Sequence, residues 1–479
     1  MKCERGMSFE ECELAILRAA VDKADKRLGK KLIRKPEVQE IIYIVETFLR
    51  KKKRMCYGGT AINNLLPKED QFYDKSAELP DYDFWSPEPM KDAKELADMY
   101  YQRGFFEVEA KAGAHSGTFK VFVNFMPVAD ISFMPKTLYK SVFRHAISVA
   151  GIYYSPPNFL RMLMYLELSR PEGDVSRWEK VLKRIRLLNK NYPVTARDCD
   201  VMEIQRMFDP QGKLPQGEEK KIFYITRQTL MAQGVVFFGA LANSLYMRYL
   251  KRFRHKKVPH VPDFDVIADD PDRVATVLKE RLGDAGIQKV KSKKRPPVGE
   301  IIPASVEVMV GKETIAFIYE PIACHSFNEV KIKGKPVKIA SIDTMLSFYL
   351  AFIYANRPYY DPNRIICMSH YLFEVQERNR LSQKGVLKRF GLDCYGEELH
   401  TKEKVREKKS QRYKDLKEAG KQGSREWEYF FLNYSPGKDE KGSRSRKKPK
   451  TRKRRKRKRG RKSRKRKGIF ANIASTIVA

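Results

Sequence analysis

From Pro36 onward, Val38, Ile41, Ile42, Val45 and Leu49 form the stripe of a helix that buries one face, and Pro36 suits its first position. Ahead of it, Ser8 and Glu11 have the spacing of a capping box that opens a charged helix. Met90 to Arg103 predicts a further helix, stopped by Gly104. The period then shortens: Thr118 to Phe125 alternates as a strand, and Met126 to Phe133 reads as a second. Tyr153-Tyr154-Ser155-Pro156-Pro157 breaks the chain. Phe159, Leu163, Leu166 and Leu168 predict a helix over 158–169, and a basic helix follows over 175–189, the pair read as a spacer against the sheet. Helices followed by strands imply an α/β (α+β) core of mixed sheet.

Two short stretches interrupt these elements with residues suited to chemistry. In Cys56-Tyr57-Gly58-Gly59-Thr60-Ala61-Ile62-Asn63-Asn64-Leu65-Leu66, an apolar run meets two glycines, and Ile62, Leu65 and Leu66 then recur at helical spacing. The amides of Gly59 and Thr60 fall at a helix start, a place for phosphate oxygens. In Leu79-Pro80-Asp81-Tyr82-Asp83-Phe84-Trp85, two acids stand two apart, so on a strand both point to one face. Asp130 lies inside the apolar strand Met126-Pro127-Val128-Ala129-Asp130-Ile131-Ser132-Phe133, where a carboxylate is costly unless paired or bound to metal. Three carboxylates beside a phosphate cradle point to Mg2+ and a nucleoside triphosphate.

The pattern returns once. Phe237-Phe238-Gly239-Ala240-Leu241-Ala242-Asn243 echoes Tyr57 to Asn63, and Val261-Pro262-Asp263-Phe264-Asp265 echoes Leu79 to Asp83. Glu320-Pro321-Ile322-Ala323-Cys324-His325-Ser326 echoes Met126 to Ser132, and Arg357-Pro358 echoes Arg170-Pro171. In this alignment Phe238, Ala240 and Cys324 replace Gly58, Thr60 and Asp130, so the second copy is expected to keep the fold and lose the chemistry. The expected division is an N-terminal helical segment (1–50), a catalytic domain (51–155), a helical spacer (156–225), a degenerate copy (226–360), a C-terminal helical segment (361–440) and a basic disordered tail (441–479).

Charge adds a partner. The 479 residues hold 96 Lys and Arg against 59 acids, a net of +37, and Arg444 to Lys467 supplies nineteen of the basic residues. Such an excess implies a polyanion, RNA or DNA before a membrane, because no stretch is long and apolar enough to span one. The tail serves as an RNA tether, a nuclear-import signal or a solvated arm. Arg50 to Arg54 reads as a solvated helix end or a nucleic-acid contact, and Tyr371 to Phe390 as an amphipathic helix for a core or a dimer. Seven scattered cysteines without a C-x-x-C pair fit a reducing compartment and a soluble intracellular protein.

Gly-Gly-Thr, then Asp-x-Asp, then a strand Asp resembles the DNA polymerase beta-like nucleotidyltransferase superfamily. More narrowly, Tyr57-Gly58-Gly59-Thr60-Ala61-Ile62-Asn63, Pro80-Asp81-Tyr82-Asp83-Phe84 and Gly117-Thr118-Phe119 through Ala129-Asp130-Ile131-Ser132 resemble the poly(A) polymerase catalytic subunit of large DNA viruses. The likeness covers about residues 40 to 370, including one active and one degenerate copy, and leaves out the tail. It implies template-independent transfer of AMP from ATP to an RNA 3′ end with release of pyrophosphate. Asp81 and Asp83 would hold two metal ions, Mg2+ or Mn2+, with Asp130 on the ion that activates the 3′ hydroxyl. Gly58, Gly59 and Thr60 would grip the triphosphate. The poxvirus branch uses a separate processivity subunit and the giant-virus branch resembles a self-sufficient homodimer, the reading favoured here. Host cytoplasm, virion or nucleus fit as locations.

Two other classes fit the residues. Another template-independent nucleotidyltransferase, adding CCA, uridylate or oligoadenylate, would carry the same motifs. A non-catalytic RNA-binding scaffold would have no reason to keep Thr60 and Asp130 in one copy alone.

Overall fold

The computed structural model describes residues 6–196, 217–253 and 261–437, with residues 3, 199 and 208. The expected tail over 441–479 lies outside the described residues. α1 (Phe9–Ile33) opens on the Ser8/Glu11 capping box, and α2 (Pro36–Lys52) starts at its proline. The buried stripe of α2 is Val38, Ile41, Ile44, Val45, Phe48 and Leu49, turned slightly from the expected one so that Ile42 lies at its margin.

The first copy runs through β1 (Met55–Cys56), α3 (Gly58–Leu65), β2 (Tyr82–Ser86), α4 (Pro89–Gln102), β3 (Val108–Ala112), β4 (Thr118–Val123), β5 (Met126–Phe133), α5 (Lys136–Phe143), β6 (Ile147–Val149), β7 (Ile152–Tyr154), α6 (Pro157–Leu168) and α7 (Trp178–Asn191). The second has α8 (Glu218–Ala232), β8 (Val236–Phe237), α9 (Ala240–Met247), β9 (Phe264–Ile267), α10 (Pro271–Asp284), β10 (Val290–Arg295), β11 (Ser305–Val310), β12 (Glu313–Tyr319), β13 (His325–Ile332), β14 (Lys335–Ala340), α11 (Ile342–Phe352) and α12 (Pro362–Arg378). A closing segment adds β15 (Cys394–Tyr395), α13 (Lys402–Glu418), α14 (Arg425–Phe431) and β16 (Asn433–Tyr434).

Seven strands of each sheet repeat in the same order, and each sheet has one further edge strand, β16 in the first and β15 in the second. The full orders are β16-β3-β4-β5-β2-β1-β7-β6 and β10-β11-β12-β9-β8-β14-β13-β15. In each, the third strand of an antiparallel run pairs parallel with the strand that carries Asp-x-Asp. Mixed sheets of this kind, flanked by helices, are the α/β (α+β) tandem expected from the sequence.

The helices after each sheet also correspond. α6, in the stretch that reads as a spacer, packs on α11 of the second copy. The amphipathic stretch from Tyr371 ends as helix at Arg378 and buries Tyr371, Leu372, Phe373 and Val375, so it serves the core.

Register corrects the alignment of the copies. Tyr57 N donates to Asp83 O at 2.9 Å, and Phe238 N to Asp265 O at 3.0 Å, so Phe238 corresponds to Tyr57 and Gly239 to Gly58. Asp83 lies beside Asp130 on β5, whereas Asp265 lies beside Phe317 on β12. Phe317, not Cys324, therefore stands where Asp130 would be.

Cys3–Cys12, Cys199–Cys367 and Cys324–Cys394 are disulfides, and Cys56 is a buried free thiol. Six of the seven are thus paired, at separations of 9, 168 and 70 residues. No helix among the described residues is long and apolar enough to cross a membrane.

Candidate active site

Asp81 immediately precedes β2 and Asp83 lies on it, with Tyr82 between them turned inward to Glu46 Oε1 at 2.7 Å. Strand alternation therefore puts both acids on the opposite face. The parallel pairing Asp83↔Asp130 adds the third carboxylate to that face. Antiparallel pairing with β4 sets Lys120 against Asp130, and the two form an ion pair.

Crowding shows in the acidities. Burial, then the charges of Asp81 and Asp130, push the Asp83 carboxyl up to about 7, against the pull of Lys120 and Arg177. Asp81 is also raised, by desolvation and by Asp130, with Lys120 opposing.

The glycines are fixed by this crowding. Gly58 has φ +72°, and a Cβ there would collide with the Asp83 carboxylate, so the chain turns into α3 against the acid. A Cβ on Gly59 would lie 2.5 Å from Tyr73 Oη and 2.9 Å from Arg184 Nη2. Thr60 is buried, and its hydroxyl donates to Asp81 O at 2.6 Å, so it steadies the acid-bearing turn. Tyr57 stacks on Trp85 at 4.0 Å and shares a 2.8 Å hydrogen bond with Ser132.

Basic groups that the sequence reading left unassigned stand near the glycines and acids. Arg177 precedes α7 and lies within electrostatic reach of Asp83. Arg184 donates to Tyr73 Oη at 2.6 Å and lies over the Phe72 ring at 4.9 Å. Lys180 is held below the ordinary lysine range by desolvation and by the charges of Arg184 and Arg177. Their sequence signal was the polar side of the 175–189 helix, but its direction depended on the fold.

The Arg50–Arg54 run is largely spent on structure. Arg50 binds Glu46 and Ala150 O, Lys52 binds Glu95, and Arg54 forms a bidentate pair with Asp92.

The donor set suits hard divalent cations: three carboxylates on one sheet face, with one acid resisting ionisation beside two others. Their oxygens are not drawn into one closed cluster. Among the described residues, three metal-binding atoms lie within 4.8 Å of one another at Glu172, Cys324 and Cys394, where both cysteines are committed to a disulfide.

The second copy is built otherwise. Asp263 is buried and meets Arg364 of α12 at 2.9 Å. Gly239 again leaves no room, since a Cβ would lie 2.6 Å from Asp265 Oδ2. Phe317 stacks near Tyr359 at 5.0 Å, and Phe238, Tyr319, Phe348 and Tyr360 extend the aromatic packing.

Residues 43–174 match the sequence model of the poly(A) polymerase catalytic subunit family. A protein of Acanthamoeba polyphaga mimivirus named for that subunit is 30% identical over 246 residues, covering 49% of this chain and 39% of the relative. One from African swine fever virus (isolate Pig/Kenya/KEN-50/1950), also named for it, is 32% identical over 164 residues, 33% of this chain and 34% of the relative. The matched parts thus span about two fifths or less of those relatives' lengths. The crystal structure of the Megavirus polyadenylate synthase superposes with a TM-score of 0.74 over 91% of this chain and 88% of its own, at 19% identity, which shows a shared fold. The resemblance read from the motifs is borne out: residues 43–174 carry the sequence pattern of the viral poly(A) polymerase catalytic subunit family.

Proposed function

We propose that this chain transfers AMP from ATP to the 3′ end of RNA without a template, releasing pyrophosphate. The observation that carries the reading is the meeting of Asp81, Asp83 and Asp130 on one sheet face with a glycine helix start that touches Arg184. The relatives' names support the choice of polyadenylation within nucleotidyl transfer.

Each residue has a derivable task. The amides at the start of α3 would donate to triphosphate oxygens, because a helix start leaves its first N–H groups without intrahelical partners. Lys180 and Arg184 offset the triphosphate charge, while Arg177, ion-paired with Glu167, lies within electrostatic reach of Asp83. Thr60 holds the turn that carries Asp81. Asp81, Asp83 and Asp130 would hold Mg2+ or Mn2+, two ions, which supply charge neutralisation to both the attacking and the leaving oxygen. Lys120 satisfies Asp130 and sets the charge that the acids present to a cation.

The test is primer extension with each of the four triphosphates supplied separately. Preferential growth with ATP is expected; uniform use of CTP or UTP would place the chain among other RNA nucleotidyltransferases, and no extension with Mg2+ or Mn2+ would favour a scaffold. The relatives are named as catalytic subunits, so a second copy of this chain or a separate subunit is the proposed partner, which sedimentation of the pure protein distinguishes.

A further inference from the structure

The closing segment forms a strap between the sheets. β15 extends the second sheet, pairing His325↔Tyr395, while β16 extends the first, pairing Tyr434↔Ala110. The strap is tied at its root by the Cys324–Cys394 disulfide and by a buried ion pair between Glu398 and Arg170. His400 then faces His115, with ring centroids 6.0 Å apart.

α13 occupies the middle of this strap and has little hydrophobic reason to be there. Leu416 is its one buried residue, while eight Lys and Arg stand against four acids over 402–418. A helix that is polar nearly all round is held by its ends and by specific bonds. Here Lys409 Nζ donates to Gly113 O at 2.8 Å, Arg412 pairs with Glu426, and Tyr413 packs on Trp427 and Phe431.

Those anchors place the helix beside the acid face. Gly113 N is bonded to Thr118 O at 2.7 Å, and Lys120, two residues along the same strand, holds Asp130. At the other end, Lys402 is within electrostatic reach of Asp174, in the turn that carries Arg177. The first two turns of α13 thus connect the β3–β4 hairpin to the start of α7, the two walls that flank the carboxylates.

Its free charges form a line. Lys402, Arg406, Tyr413 and Lys417 fall at i, i+4, i+11 and i+15 on one side, all exposed, beside the anchored face of Lys409 and Leu416. Arg406 has no carboxylate partner among the described residues, and Tyr413 offers a ring that is 41% exposed. Basic side chains interleaved with an aromatic suit a single-stranded nucleic acid, whose phosphates meet the charges and whose bases stack.

We propose that α13 is a rail for the RNA primer, holding single-strand phosphates upstream of the 3′ end as it enters between the β3–β4 hairpin and α7. The rail rests on the polyadenylation reading for its occupant, since a nucleotidyltransferase must deliver a growing strand to its acids again and again. At about 1.5 Å per residue, α13 is about 25 Å long, enough to track several nucleotides.

The test replaces Lys402, Arg406 and Lys417 with Glu, with a Gln version as the milder form, and leaves Lys409, Arg412 and Tyr413 in place. Binding of the full chain to a 5′-labelled oligoadenylate is measured over a salt series. Each neutralised single-strand phosphate contributes about 0.7 to the log–log slope, so loss of three contacts should flatten it by roughly 2. Addition of one nucleotide at saturating primer should keep its kcat while KM for primer rises about tenfold or more, and products should shorten. An unchanged slope and unchanged primer KM in both folded variants would overturn the rail, including the case in which α13 serves a protein partner. The two readings fail separately: a parent chain that binds RNA but extends nothing refutes polyadenylation, while the slope still tests the rail.

Discussion

Both copies place an Asp-x-Asp strand against a tight glycine turn, yet one site stays open and the other is filled. In the first, Asp81 is exposed and Asp83 and Asp130 are half-buried, with Lys180, the third residue of α7, within electrostatic reach of Arg184 and Arg177 and of Glu167 and Glu78. In the second, the third residue of α12 is Arg364, and its guanidinium is bonded to buried Asp263. Phe317 takes the position of Asp130, and Tyr359 and Tyr360, just ahead of α12, pack onto it or its neighbours. A permanent cation and an aromatic plug thus stand where the first copy keeps carboxylates accessible. Two acids of the motif persist in both copies, so Asp-x-Asp by itself does not separate a site from a scaffold; the third strand residue and the helix facing it do.

The largest expected break is in the first copy. Asp81→Ala, Asp83→Ala or Asp130→Ala should each lower AMP addition by about a thousandfold or more, roughly 4 kcal/mol, with folding retained by circular dichroism. Near-normal extension in a folded Asp83→Ala protein would remove the carboxylates from the proposed chemistry.

Asp263→Ala tests the other side. Breaking a buried ion pair by removing one partner costs about 3–5 kcal/mol, so the midpoint of chemical denaturation should fall markedly. Chemistry should survive: single-nucleotide addition per folded molecule is expected to match the parent, and a thousandfold loss there would mean that the filled copy takes part.

Facing helices differ by a smaller amount. Lys180→Ala and Arg184→Ala should each raise KM for ATP about tenfold, near 1.4 kcal/mol, because a charge-assisted contact to phosphate is lost while the acids remain. Equal KM values in both variants would disconnect α7 from the triphosphate.

How much of this was legible in the chain follows from range. The glycine turn, the strands and the three acids were readable because each is local, with the face set by residues two apart. The repeat was readable too, but matching it by residue type slipped: Phe237 and Phe238 are interchangeable as letters, and the strand pairings Cys56↔Phe84 and Phe237↔Val266 show that Phe238 replaces Tyr57. Cys324 was matched to Asp130 through a shared Pro-x-Ala, although the pairing of β12 with β9 places Phe317 there. The disulfides joining residues 70 and 168 apart, and the approach of Arg184 to Gly59, depend on tertiary contacts that no window of sequence contains.

A stability measurement sharpens the comparison without using activity. Asp83 holds its proton to about 7 in the fold, against an ordinary carboxyl value of 3.8. Between those values the native state binds the proton more tightly than the unfolded chain, so this group stabilises the metal-free protein fully below about 4 and loses that contribution as pH rises through 7. Asp83→Asn removes the dependence. At pH 8 without divalent cations, the variant should be more stable than the parent by about 2 kcal/mol, the full shift being reduced because solvent reaches the site and Lys120 offsets part of the repulsion. At pH 4 the two should unfold alike. Mn2+ should raise the parent's melting temperature more at pH 8 than at pH 5.5, because a cation and the proton compete for one carboxylate, and should raise that of Asp83→Asn little at either pH. A parent whose stability is flat from pH 4 to 8, with an equal response to Mn2+ in both proteins, would show that the three acids are not coupled through a shared charge.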